Sequence, residues 1–530
     1  MRVLIFHGYL LAGTGSNVYN ARLAEALVRL GHEVHLLSQE RHPERHAFVD
    51  AFGDWEEGVL RVRAAHVDSD RRPAGVGRCT VYRPDIGGLL PLYVADRYEG
   101  IEARTFADCS EAEVARYVDA NVGAVREVAA RVRPDVALAN HLVMGPVILH
   151  RALQGAVPYA VKVHGSALEY TVKPQPERFL EPAREGLAGA RAVLVGSSHT
   201  AVSLWQALAD PALAGRTRLG PPGVDVARFS PREPAAAAAG LRALATRVRA
   251  SDAGRAREQA GSAFTRDEHA AGAALEALDP DRDVLVAFVG KLIVSKGVDL
   301  LIAAWPLVLE RVPCARLVVV GFGAYRDGLE ELLAALGSGD IDRARGLARA
   351  GRALETESLQ ARPLRHLLAF LDGLRGAGRD RYLVAARALS ERVVLTGRLE
   401  HDEVAELLPA CQALVVPSTF PEAFGMVAAE AAACGTLPVS AAHSGLAEVS
   451  GALARAVPAR AAEWLSFAVD DAAVPALAGC LTGWLECDPA LRASTRAGLV
   501  ATVRERWSWE GVARGVMAAA RGELDALERP

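Results

Sequence analysis

Short runs rich in Val, Ile and Leu alternate with longer stretches of helical periodicity along the first part of the chain. MRVLIF reads as a strand, SNVYNARLAEALVRLG as an amphipathic helix ending at Gly31, and EVHLLS as a second strand. DVALAN, YAVKVHG and AVLVGS continue the series, each followed by a helical stretch. Strands that alternate with helices predict a parallel sheet covered on both faces. The pattern reaches GPPGVDVARFSP at 220–231 and then restarts. DVLVAFVG, ARLVVVG, VVLTG, ALVVPS and TLPVS are the strands of a second series, separated by helical stretches such as GVDLLIAAWPLVLERV and EVAELLPAC. The predicted fold class is α/β, with two doubly wound Rossmann-like domains and helical insertions.

Two segments break the rhythm. Residues 233–282 are rich in Ala, Arg and Glu, and residues about 325–390 carry helical patterns with polar breaks. The expected organisation is an N-terminal domain at 1–232, a helical insertion or linker at 233–282, a second domain at 283–505 containing the other insertion, and a terminal segment at 506–530. The insertions read as solvated decoration. The alternative is a partner-binding element or a weak peripheral membrane contact, because Arg343, Arg345, Arg349 and Arg352 cluster there.

With 530 residues the chain is long enough for two sizeable cores. A net charge of -4 and a pI near 6.4 give no electrostatic footprint for nucleic acid. Seven cysteines are scattered without a CxxC pair, the pattern of reduced thiols rather than of a disulfide framework or a metal site. No apolar run approaches the roughly 20 residues of a membrane span, and MRVLIF enters a strand directly, so a cytoplasmic protein is expected. Only four of the 60 basic residues are Lys: Lys162, Lys173, Lys291 and Lys296.

In an open parallel sheet, ligands bind where strands end and helices begin, because unpaired backbone N–H groups and the helix dipole meet there. Four such places carry candidate chemistry. Gly13, Thr14 and Gly15 form a turn after the first strand, before a helix capped by Ser16 or Asn17; it is either a tight βα turn or a loop admitting a sugar or phosphate. In GKLIVSKG, Lys291 and Lys296 flank a strand-end loop, as a clamp on phosphate or as solvated side chains. In FPEAFGMVAAEAAACGTLP, Glu422 precedes a helix whose first-turn amides belong to Phe424, Gly425, Met426 and Val427, and Glu430 follows two turns in. That spacing, roughly 12 Å along a helix axis, fits the sugar and ribose ends of a nucleotide-sugar; the alternative is a dipole-stabilising Glu with an incidental second one. His164, in VKVHGSALEY, stands at a strand end beside a glycine, as a functional group or an ordinary core residue.

Taken in order, GTGS, GHEV at 31–34, KVHG at 162–165, PPGVDVARF at 221–229, GKLIVSKG, LVVVGFG at 317–323, the run from VVLTGRLEHDEV to GTLPV at 393–439, and RWSWEGVA at 506–513 resemble the retaining family 4 glycosyltransferases of GT-B fold. The resemblance implies two domains facing across a cleft, with the terminal helix crossing back to the first. It implies a hexosyltransferase using a UDP-, GDP- or ADP-hexose and an unidentified acceptor, with no cofactor and no metal ion. His164, Glu422 and Lys296 are the implied catalytic group. Gly13, Thr14, Gly15, Lys291, Lys296, Arg398, Phe424, Gly425, Met426, Val427 and Glu430 are the implied donor contacts. Arg97, Tyr98, Asn140, His141, Tyr170 and Lys173 are candidate acceptor contacts. Two departures stand out. The phosphate loop has Thr14 where a Gly is usual, and His443-Ser444 replaces a common second Gly. Alternatives within the fold are a phosphorylase or epimerase, and from another class a catalytically inactive nucleotide-sugar-binding scaffold.

Overall fold

The computed structural model describes residues 1–65, 75–93, 101–250, 267–355 and 361–530; Arg97 and Tyr98 lie outside the described residues. The chain divides into two compact units, Met1–Gly223 with Trp507–Pro530, and Val224–Arg506.

The first unit is built on a nine-stranded sheet. Its order is Thr217–Leu219, Ala192–Val195, Tyr159–Lys162, Val136–Asn140, Arg2–Phe6, Glu33–Leu37, Arg78–Arg83, Ala51–Glu56 and Val59–Ala64. All neighbours are parallel except the last pair, an antiparallel hairpin turned by Glu57 and Gly58, both at positive φ. Side chains of a strand alternate between faces, and the first strand shows the consequence. Leu4 and Phe6 join one buried cluster while Val3 and Ile5 join another on the opposite face. The second cluster is completed by the helix Trp509–Arg521, through Trp509, Ala513, Val516 and Met517. The chain end is further tied down where Leu219 N donates to Glu528 O at 2.8 Å and Arg218 Nε to Leu524 O at 2.9 Å.

The second unit holds a six-stranded, wholly parallel sheet. Its order is Val393–Gly397, Ala315–Val320, Val284–Val289, Ala413–Val416, Leu437–Ala441 and Ser466–Phe467. In chain order this is 3-2-1-4-5-6, the doubly wound arrangement whose direction reverses between the first and fourth strands. Leu285, Val286, Ala287 and Phe288 are all buried, as a strand covered by helices on both faces requires.

The described helices of the segment expected as a helical insertion or linker, Pro234–Ala250 and Glu268–Glu276, pack within this second unit. The helix Pro234–Ala250 lies against Glu268–Glu276 and the helix His401–Leu407, and Glu268–Glu276 covers the edge strand Val393–Gly397. Leu241, Leu244 and Val248 form the buried stripe that holds it. A covered edge cannot recruit a foreign strand. The later insertion is likewise more than surface decoration. Tyr382 is fully buried and its hydroxyl donates to Ala303 O at 3.0 Å, joining the helix Gly376–Ala386 to the helix Val298–Arg311. Its arginines are largely paired: Arg343 with Glu331, Arg345 with Asp342 and Asp372, and Arg352 with Glu355. Among the described residues no helix is long and apolar enough to cross a membrane, and all seven cysteines are free.

Candidate functional site

The reversal point of the second sheet lies between Val284–Val289 and Ala413–Val416, and the loops leaving these two strands carry the candidate chemistry. Gly297 sits at φ +66, and a Cβ there would collide with the Pro417 carbonyl oxygen. Only glycine permits the two loops to approach this closely. Thr419 N then donates to Ser295 O at 2.9 Å, which fixes their register. The result brings the Lys296 ammonium into an ion pair with Glu422 Oε1, and Ser418 Oγ donates to the same oxygen at 2.6 Å. Lys296 and Glu422 keep 29% and 24% of their side chains exposed, so the pair is shielded yet accessible. Burial pushes the Glu422 carboxyl up, but the Lys296 charge and hydrogen bond, Ser418 and His443 together outweigh it and hold it below the usual carboxylate range. Glu422 is therefore an anion at neutral pH.

Gly425, at φ +115, turns the chain into the helix Met426–Ala433. The first ladder bond runs from Ala428 N to Gly425 O, so the amides of Met426 and Val427 precede it and face the helix mouth beside Glu422. Phe424 is buried and anchors the turn. Lys291 is half-buried at the start of its loop. Arg398 pairs with Glu400 at 3.0 Å just before the helix His401–Leu407. Glu430 is only 4% exposed and lies 2.8 Å from His401 Nε2. The imidazole of His401, its ring tilted against that of Phe229 with centroids 4.8 Å apart, thus covers the carboxylate expected to meet a ribose. His401 was not among the expected site residues, although it sits in the same LEHDEV run as Arg398.

The later insertion also touches this site. Glu355, 10% exposed, accepts from Val294 N at 2.8 Å and so caps the short turn Val294–Lys296. Leu292 N donates to Phe322 O at 2.7 Å in the same loop.

In the first unit the expected residues gather at the corresponding reversal point, beside Arg2–Phe6 and Val136–Asn140. Thr14, rather than Ser16 or Asn17, stands at the N-cap of the helix Gly15–Arg29, with no side-chain capping bond. Asn17 is turned inward instead: its Nδ2 donates to Ala12 O at 2.7 Å, and its Oδ1 accepts from His7 Nε2 at 3.0 Å. Gly13 takes φ +94 and leaves the turn open to solvent.

A buried polar chain runs from there. Asn20 Nδ2 donates to His7 Nδ1 at 3.0 Å, Asn140 Nδ2 donates to Asn20 Oδ1 at 2.7 Å, and His164 Nε2 donates to Asn140 Oδ1 at 2.8 Å. Since Asn140 Oδ1 can only accept, His164 carries its proton on Nε2, and Nδ1 is left as the ring's acceptor. Burial lowers the His164 pKa well below its ordinary value, with His141, Lys162 and His7 adding to the effect, so the ring is neutral. His164 also meets the Tyr19 ring edge-on at 5.0 Å. Of the candidate acceptor contacts, Asn140 and His141 are buried rather than presented to solvent. Lys173 is paired with Glu169 at 2.8 Å, and Tyr170 is exposed.

Comparison with known proteins sets this geometry in context. The profile described as "Glycosyl transferase 4-like domain" matches residues 14–213, and "Glycosyl transferases group 1" matches residues 376–468. An uncharacterised glycosyltransferase of Methanocaldococcus jannaschii is 30% identical over 169 residues, 32% of this chain and 30% of the relative. A D-inositol 3-phosphate glycosyltransferase of Segniliparus rotundus is 29% identical over 262 residues, 49% of this chain and 44% of the relative. The matches thus span less than half the length of these curated relatives. Among solved structures, sucrose-phosphate synthase from Thermosynechococcus elongatus superposes with a TM-score of 0.56 at 20% identity, covering 99% of each chain. Anabaena HepE, crystallised with UDP and glucose, gives 0.52 at 17% identity, covering 98% of this chain and 99% of its own. The two profile matches, the two doubly wound sheets and the GT-B structural neighbours together place this chain in the family 4 glycosyltransferases of GT-B fold.

Proposed function

We propose that the protein is a retaining hexosyltransferase that moves a hexose from a nucleoside-diphosphate sugar to an acceptor hydroxyl, without a metal ion. The observation that carries this reading is the meeting of Lys296, Glu422 and Ser418 beside the open helix mouth at Met426 and Val427. A pyrophosphate would lie against those amides, with Lys296 and Lys291 neutralising it. Glu422, ionised and already oriented, would accept from hydroxyls of the hexose. His401, paired with Glu430, stands where the ribose would reach. His164, neutral with Nδ1 as its acceptor, would take a hydroxyl proton of the transferred sugar in a hydrogen bond. Arg398 and the Gly13–Gly15 turn would complete the donor contacts.

No carboxylate among the assigned residues is suited to attack the anomeric carbon as a nucleophile. Retention is therefore assigned to a front-face displacement. The acceptor oxygen forms its bond to the anomeric carbon on the face from which the diphosphate departs. The bond to the diphosphate oxygen breaks, and that oxygen takes the acceptor's proton. Catalysis is then positioning and charge stabilisation.

UDP-, GDP- and ADP-glucose are screened by thermal shift, and the donor that binds is offered to small polyols and their phosphates. The relative named for D-inositol 3-phosphate makes a phosphorylated polyol the first acceptor to try. The expected result is a shift with one nucleotide, an α-linked product from an α-linked donor by NMR, and a rate unchanged by EDTA. An inverted product or loss of activity in EDTA would overturn the mechanism. Donor binding without turnover on any acceptor would favour the scaffold reading.

Glu355→Ala removes the carboxylate that caps the Val294–Lys296 turn. A hydrogen bond to a charged group contributes about 1.5–3 kcal/mol, so the donor KM is expected to rise about tenfold or more, with kcat little changed. Steady-state kinetics in donor concentration checks it.

A further inference from the structure

The departure His443-Ser444 has a structural consequence beside Glu422. Ser444 adopts φ +51, a left-handed conformation that a serine adopts only at an energetic cost and that a glycine takes freely. What the serine adds is its hydroxyl. Glu422 N donates to Ser444 Oγ at 2.9 Å, and Ser444 Oγ lies 3.1 Å from His443 Nδ1. His443 Nε2 lies 2.8 Å from the Ser418 carbonyl, which can only accept. The imidazole therefore carries a proton on Nε2, and its Nδ1 is hydrogen-bonded to the Ser444 hydroxyl. Ser418 Oγ in turn donates to Glu422 Oε1 at 2.6 Å, which closes a ring of hydrogen bonds through Glu422, Ser444, His443 and Ser418. Gly445 N adds a bond to Glu422 O at 2.9 Å, and a Cβ at Gly445 would strike the backbone of Ala423 and Phe424. The turn thus lies flat on the loop that presents Glu422.

We propose that His443 and Ser444 are positioning residues for Glu422, fixing its backbone and carboxylate in the orientation from which it meets the donor sugar. The strained backbone at Ser444 is retained because the hydroxyl is needed there. This rests on the reading of Glu422 as the sugar-facing carboxylate, and the test separates the two.

Ser444→Gly removes the hydroxyl and relieves the left-handed strain, whereas Ser444→Ala removes the hydroxyl alone. Both are measured beside Glu422→Gln and wild type with UDP-, GDP- and ADP-glucose, scoring the donor that wild type turns over, and with the free UDP, GDP and ADP by calorimetry. The expected result is a higher unfolding temperature for Ser444→Gly, a kcat lowered about ten- to a hundredfold in both Ser444 variants, and unchanged nucleoside-diphosphate affinity. A merely structural serine would give a stabler Ser444→Gly at full rate, and that result overturns the inference. So does a loss of nucleoside-diphosphate affinity and unfolding temperature together in both Ser444 variants. If Glu422→Gln keeps the wild-type rate, or wild type turns over none of the three donors, the reading of Glu422 fails and takes this inference with it. Loss in Glu422→Gln with full activity in both Ser444 variants overturns the inference alone.

Discussion

Lys296→Ala is expected to lower kcat about a thousandfold, roughly 4 kcal/mol of transition-state stabilisation, the upper end of the cost of removing one preorganised group aimed at developing charge. The ammonium stands at the reversal point of the sheet, beside the helix mouth that would hold the pyrophosphate. Its loss removes charge stabilisation at the moment the leaving group takes up negative charge. A second effect follows from its pairing with Glu422. Burial raises the Glu422 pKa, and the largest opposing influence is Lys296. Without it the carboxyl titrates higher, so the acidic limb of the pH–rate profile moves to higher pH in Lys296→Ala. Lys296→Arg keeps the charge but not the compact donor, and an intermediate rate with an unshifted acidic limb is expected. Steady-state kinetics across pH, with nucleoside-diphosphate binding measured alongside, checks both effects. A Lys296→Ala enzyme within a few-fold of wild type would remove the cation from the mechanism.

Acid is expected to weaken the first unit well before its carboxylates titrate. His7, 1% exposed, has its pKa pushed down by burial to about 4, against the opposing pull of Asn17 and the Leu10 carbonyl. His141 and His164 also lie well below their ordinary value, again mainly through burial. The sign follows from proton counting. Between the unfolded pKa near 6.5 and the lowered folded value, the unfolded chain binds protons that the native unit refuses, so stability falls as pH falls through that window. His7 alone corresponds to roughly 3 kcal/mol between pH 6.5 and about 4.

His141 sharpens the test. Both its ring nitrogens are buried without a hydrogen-bond partner, and it packs against Tyr93 at 4.4 Å, His164 at 4.9 Å and Tyr9 at 5.4 Å. His141→Phe keeps an aromatic ring in aromatic surroundings and deletes a titrating group. It is expected to flatten the acid dependence by one proton, about 1.4 kcal/mol per pH unit within the window. Hydrogen exchange read on peptides covering Arg2–Phe6 and Val136–Asn140 reports this unit by itself. An unchanged slope in His141→Phe would show that its ring is not kept neutral by the fold.

The β/α alternation was legible because parallel strands covered on both faces are continuous apolar runs, as Val284–Val289 is, and runs of that kind survive without any knowledge of neighbours. The edge hairpin Ala51–Glu56 and Val59–Ala64 was not read, since a half-exposed edge such as VLRVRA buries little more than Leu60. Residues 233–282 read as helical in the sequence, and Pro234–Ala250 and Glu268–Glu276 are helices; composition could not say that the stripe of Leu241, Leu244 and Val248 packs within the second unit.

Within the site, sequence alone determined which residue types stand at strand ends, because backbone amides and a rare lysine at such positions carry chemistry whatever surrounds them. It could not say what each carboxylate touches. Glu422 and Glu430 look alike in the Ala-rich run, yet one meets Lys296 from a loop more than a hundred residues earlier and the other is covered by His401. Those pairings depend on the 3-2-1-4-5-6 strand order and on the loop approach that Gly297 permits. Long-range packing of that kind leaves no local pattern. The tertiary structure alone therefore decided the hydrogen-bond partners, the tautomer of His164, the proton on His443 Nε2, and the tether that Ser444 supplies.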